Sequence, residues 1–129
     1  MKLGPVQKEW VEYLRNNPSK QMKSCLGHVN PSNGEIIRAC CLGAGLIIAR
    51  KNQPDKGYDS NGVIRDLDEN EIINTAAIEN PDLLGLHDGF GFIPKDAVSL
   101  AMLNDEGKTW PEIADFIEKH PEEVFSKSV

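Results

Sequence analysis

Val6, Trp10 and Leu14 recur at four-residue spacing, with Val11 and Tyr13 widening the stripe, so the chain opens on an amphipathic helix with one buried face. Pro5 suits its first position, where the missing amide hydrogen would have had no partner, and Asn16-Asn17-Pro18 ends it. From there to Gly34 the chain is polar and broken by Gly27, Asn30-Pro31 and Asn33-Gly34, which predicts a hairpin or loop. Glu35 to Ala39 reads as a short strand. Cys40 to Ala49 is continuously apolar, which periodicity cannot assign between helix and strand. Its small residues favour a buried helix. Gly43 and Gly45 each cost such a helix about 1 kcal/mol relative to alanine, so a close backbone approach must offset them.

Asn52 to Gly62 is a second loop, and Asn61-Gly62 is a strong hairpin signal ahead of Val63-Ile64-Arg65. Leu67 to Leu86 predicts a short helix ending before Pro81, with Asp68, Glu69 and Glu71 near its start, where the helix dipole favours negative charge. His87 to Phe92 is a glycine-punctuated loop. Pro94 to Glu106 predicts a helix with Ala97, Leu100, Ala101 and Leu103 on one face, stopped by Gly107 in a left-handed cap. Thr109-Trp110-Pro111-Glu112 is a capping box, so another helix runs from Trp110 to about Lys119 with Ile113, Ala114 and Ile117 inward. Pro121 restarts a short terminal helix anchored by Val124 and Phe125. These elements predict a single α+β domain over residues 1–129, mostly helical, with a small sheet or hairpin and a C-terminal corner like a helix-turn-helix. Its expected core is Trp10, Leu14, Leu42, Ile47, Leu100, Leu103, Ile113 and Ile117.

Composition narrows the function classes. Hydrophobic residues make up 40% and charged residues 26%, as in ordinary globular domains. No apolar run approaches the ~18 residues of a membrane span, and the N-terminus lacks the apolar stretch of a secretory signal. Three cysteines, an odd number, point to reduced thiols in a cytosol rather than to disulfides. Twenty acidic against fourteen basic residues give a net charge of −6, which argues against nucleic acid as a partner unless the fold gathers Lys20, Lys23, Arg38, Arg50, Lys51 and Lys56 into one patch.

Five candidate constellations follow. Cys25, His28, Cys40 and Cys41 supply four zinc-type ligands, but adjacent residues diverge on a strand or helix, so Cys40 and Cys41 do not easily share a metal. Gly57 to Asp68 overlays a calcium-binding loop, yet Gly57 stands where the first carboxylate belongs and Asp68 is too short for the last. No metal or cofactor is therefore expected. Cys25, Cys40 and Cys41 as nucleophiles and His28, His87 and His120 as bases are not linked locally, so the chain is not read as an enzyme. His87, Asp88, Phe90 and Phe92 form a candidate ligand-contacting loop, against the alternative that both phenylalanines are core residues carried by flexible glycines.

The last constellation is the helical corner at Leu100 to Ile117. Its acidic residues suit a protein partner better than DNA phosphates, and the candidate partner-binding residues are Asp105, Trp110, Glu112, Asp115 and Glu118. Tryptophan is enriched at binding hot spots, although Trp110 could equally close the helix pair from inside.

Trp10-Val-Glu-Tyr-Leu14-Arg15, Gln21, Cys40-Cys41-Leu42-Gly43, Leu84-Gly85-Leu86 and the stretch Leu103-Asn104-Asp105-x-Gly107-x-Thr109-Trp110-x-Glu112-Ile113-Ala114-Asp115 together resemble a group of small proteins encoded by tailed phages and prophages. The run departs from that group after Gly43, where Ala44-Gly45-Leu46 replaces larger aliphatics and another cysteine. The resemblance implies a phage origin and a bacterial cytoplasm, and assigns no catalytic residues. By analogy with small phage accessory proteins, it implies non-catalytic binding of a host protein through an acidic surface. A sponge for a small nucleotide-type ligand and a helix-turn-helix-like nucleic-acid-binding regulator are the alternatives.

Overall fold

In a computed structural model describing residues 1–66 and 77–129, Pro5 opens α1 (Pro5–Asn16), whose buried face is Gln7, Trp10, Val11 and Leu14. A 3-10 turn at Pro18–Lys20 leads to β1 (Gly27–Val29), which pairs antiparallel with β2 (Ile36–Ala39), Gly27 facing Ala39 and His28 facing Arg38. The polar stretch before Gly34 is thus one arm and the turn of a hairpin. A second antiparallel return extends it: the Asp59–Gly62 turn sets Val63 against His28 and Ile64 against Tyr58.

Cys40 caps α2 (Cys41–Arg50), and the helix reading of this apolar run is the observed one. Cys41 to Leu46 are all buried, which makes α2 the central element. Its two glycines have the expected reason. A side chain on Gly43 would collide with the Leu26 carbonyl, and one on Gly45 would lie 2.7 Å from Leu84 and 2.9 Å from the Trp10 ring. Trp10 also donates its indole hydrogen to the Cys41 carbonyl at 2.9 Å, which joins α1 to the first turn of α2.

A 3-10 turn at Pro81–Leu83 and the 87–92 loop precede β3 (Phe92–Ile93), which pairs antiparallel with β4 (Val98–Ser99). Here the helix expected from Pro94 is corrected. Only α3 (Leu100–Asp105) is helical, and Pro94 to Ala97 form the β3–β4 turn, with Ala97 left-handed at φ 54 and Ser99 as the helix cap. Ile93 and Val98 face each other as cross-strand partners, and the Ile93 carbonyl accepts the Asp96 and Ala97 amides at 3.2 and 3.0 Å, which closes the turn in place of a first helical turn. Gly107 (φ 102) ends this arm as expected.

The capping box is present: Thr109 and Glu112 satisfy each other's amides at the start of α4 (Trp110–Lys119), and α5 (Pro121–Val124) follows. α1 packs against both α4 and α2, with Ile113, Ala114, Ile117, Val124 and Phe125 all buried. Gln7 ties in the C-terminal segment, accepting from the Gly4 amide and donating to the carbonyls of Leu84 (3.0 Å) and Lys127 (2.8 Å).

Of the expected core, Ile47 and Leu103 are half-buried and the other six are buried. The helix expected between Leu67 and Pro81 falls mainly on residues 67–76, outside the described residues. No described helix is long and apolar enough to cross a membrane.

Candidate functional site

Asp88 organises the candidate loop. Its Oδ1 accepts the backbone amides of Phe90 and Phe92, both at 2.9 Å, and its carbonyl accepts that of Gly91 at 3.2 Å. Gly89 lies against Ile78, whose amide it receives at 2.9 Å, too close for any side chain at position 89. The glycines therefore permit tight backbone turns rather than flexibility. Asp88 is half-buried and braces the loop through Oδ1. His87 is exposed, and Phe90 and Phe92 keep 46% and 40% of their surface in solvent, so they are not core residues.

A third large apolar side chain joins them. Phe92 is the cross-strand partner of Ser99, and opposed residues share a face; the Ser99 hydroxyl in turn accepts the Met102 amide at 3.1 Å. The Phe90 carbonyl accepts the Ala101 amide at 3.2 Å. Phe90, Phe92 and Met102, the last 43% exposed, thus emerge from adjacent backbone around the start of α3. Sequence reasoning missed Met102. The available signal was its position off the Leu100–Leu103 stripe.

Four carboxylates of the acidic corner accept hydrogen bonds from within the chain. Asp115 and Glu118 both pair with Arg15 of α1, so they brace the α1–α4 contact and hold the guanidinium more firmly protonated. Glu112 accepts from the Thr109 amide and hydroxyl, which lowers its pKa, and Asp105 accepts the Ser24 amide at 2.9 Å. All four remain exposed at the surface, as does Glu106. Trp110 is corrected. It is fully buried, its ring 6.1 Å from Tyr13, and donates to Asn104 Oδ1 at 3.2 Å, so no partner can touch it.

Asn104 is the other residue that sequence reasoning passed over. Completely buried, its Oδ1 receives the Cys41 amide (3.1 Å), the Trp110 indole and Gln21 Nε2 (3.1 Å), while its Nδ2 donates to the Met22 carbonyl at 2.7 Å. One amide therefore holds together α2, α3, α4 and the segment before β1.

The cysteines are structural in their contacts. Cys40 Sγ accepts the Gly43 amide, Cys41 Sγ donates to the Leu100 carbonyl, and Cys25 lies beside the Met22 sulfur at 3.7 Å. Burial pushes the Cys40 thiol up to about 11 and raises Cys41 well above its ordinary value, which disfavours the thiolate a nucleophile or metal ligand requires. His28 faces Arg38 across the hairpin, His120 lies 5.0 Å from the Phe116 ring, and among the described residues no three of His, Cys, Asp and Glu gather as a metal would need. In the calcium-like loop, Asp59 folds the turn. Partial burial pushes its pKa upward, but the Val63 and Asn61 amides and Arg65 outweigh this and lower it. Asp68 lies outside the described residues.

Among the grooves of the described residues, one of about 350 Å³ runs along α1 beside Val11, Arg15 and Glu118, and two smaller ones lie nearer the other candidate residues. Leu103, Ile113 and Phe116 floor a cleft of about 160 Å³ between α3 and α4, rimmed by Lys108 and Glu112. Asn33, Ile47, Lys51, Lys56 and Tyr58 line one of about 250 Å³. Its lysines are engaged, Lys51 with Glu9 and Lys56 with the Lys51 carbonyl, and its volume falls below the ~300–1,000 Å³ usual for small-molecule sites.

No protein-family model, no curated protein and no solved structure matches this chain.

Proposed function

We propose that this chain is a phage-encoded accessory protein that binds a host protein, without catalysis, through the acidic side of its C-terminal corner. The observation that carries the reading is the rigidity of that corner. Ser99 caps α3, Gly107 turns the chain, and the Thr109–Glu112 box starts α4, so Asp105, Glu106 and Glu112 are presented on fixed backbone. Fixed interface groups lose little entropy on binding, and exposed like charges steer a partner of opposite sign. The resemblance of the Leu103 to Asp115 segment to phage proteins supports the biological setting.

Charge substitution at this corner tests the reading. Glu106→Lys reverses an exposed carboxylate, and Glu112→Gln removes a charge while keeping a capping-box side chain. Wild type and this double variant are used to capture partners from a bacterial lysate at low and moderate salt. Recovery of a wild-type partner should fall in the variant and with salt, while the melting temperature stays unchanged. Equal recovery by both proteins at moderate salt would sink the proposal.

A further inference from the structure

We infer that the contact is centred on the exposed side chains of Phe90, Phe92 and Met102, and that its occupant is a second protein presenting an amphipathic helix whose apolar face is bordered by lysine or arginine. This rests on the proposed binding role and gives that surface its chemistry. Scattered exposed apolar residues are ordinary, but these three are large and emerge together from backbone locked by Asp88 and Ser99. Aromatic and methionine side chains at the centre of a patch are what interface cores are enriched in.

Charge selects the occupant. Asp105 and Glu106 follow Met102 by three and four residues, one helical turn away, so they border the apolar patch. Asp96 is exposed in the β3–β4 turn. The nearby cations are partly neutralised, Lys95 by Glu123 at 3.0 Å and Lys108 by Glu112 at 4.0 Å. A second copy of this chain would bring the same acid-bordered patch to both sides of a symmetric pair, with a net charge of −6 on each chain, so a basic rim on a different protein fits better.

The probes are a synthetic amphipathic helical peptide of leucine and lysine and its leucine–glutamate counterpart, titrated into isotope-labelled protein and followed by amide chemical shifts. The lysine peptide should perturb residues from His87 to Glu106, and the glutamate peptide should not bind. Phe90→Ser with Phe92→Ser should weaken the lysine peptide about tenfold or more, with Met102→Gln as an independent smaller truncation and thermal melts to show that both variants fold. Absence of binding by the lysine peptide, or equal binding by both peptides, overturns the inference. If the phenylalanine variant binds like wild type while Glu106→Lys does not, the apolar patch is rejected and the acidic corner stands; if neither substitution matters, both fall. Sedimentation that shows self-association of the wild type, abolished by the phenylalanine pair, would make the occupant a second copy instead.

Discussion

Arg50 and Asp66 meet 2.7 Å apart just beneath the surface, their side chains only 11% and 1% exposed. The same carboxylate accepts the backbone amides of Glu79 and Asn80, each at 2.8 Å, so one buried anion joins α2 to the chain on both sides of residues 67–76. Removing the guanidinium leaves the buried carboxylate with neutral amide donors alone. Arg50→Met should destabilise the fold by about 3 kcal/mol, and adding Asp66→Asn should recover part of that loss. Denaturant midpoints of the two single variants and the double variant measure the coupling. Additive effects would show that the pair is not energetically linked.

At Gly43, helix propensity and packing make opposite predictions. Propensity alone would reward alanine by about 1 kcal/mol, whereas the new methyl would press into the Leu26 carbonyl, a backbone atom fixed by its bond from the Cys40 amide at 3.1 Å. Packing should win, with Gly43→Ala losing roughly 1–3 kcal/mol in chemical denaturation. Gly107→Ala is the contrast. Nothing lies within 4 Å of its would-be side chain, so only the left-handed backbone, at about 1 kcal/mol, opposes it.

The Asn104 hub should be less tolerant than its size suggests. Asn104→Leu fits the volume but removes the acceptor shared by the Cys41 amide, the Trp110 indole and Gln21, leaving buried donors unpaired. A loss of about 2–4 kcal/mol is expected, with a shift in Trp110 fluorescence as its indole loses a partner. A variant as stable as wild type would show that these bonds add nothing net.

Thiol chemistry offers a pH-dependent check. Burial pushes Cys40 from its ordinary 9.0 up to about 11, so below pH 9 folded and unfolded chains hold the proton alike. Above that, the unfolded chain releases it while the folded chain keeps it, so stability falls as pH rises towards 11, by roughly 3 kcal/mol at most. Cys41 acts in the same direction. Cys40→Ala should flatten that alkaline loss in urea melts. In the folded protein a thiol reagent at pH 8 should modify half-buried Cys25 first, with the other two protected until unfolding.

The sequence by itself determined α1, α4 and α5, because their signals are local: Pro5 at a first helical position, the Thr109–Glu112 box and Pro121; for the apolar run of α2 it favoured a helix but left a strand open. It also located Phe90 and Phe92 as candidates, since glycines around aromatics mark a special loop. Tertiary structure decided the rest. The two-residue strands β3 and β4 carry too few positions for an alternating pattern, so only their pairing reveals them. Whether Trp110 faces a partner or the core depends on Tyr13 and Asn104, which lie on other elements. Asp115 and Glu118 read as free charges until α1 brings Arg15 between them, and Met102 reads as an ordinary helix residue until β3 sets Phe92 opposite Ser99, the cap of its helix. Burial and pairing are properties of residues distant in sequence, and no local window contains them.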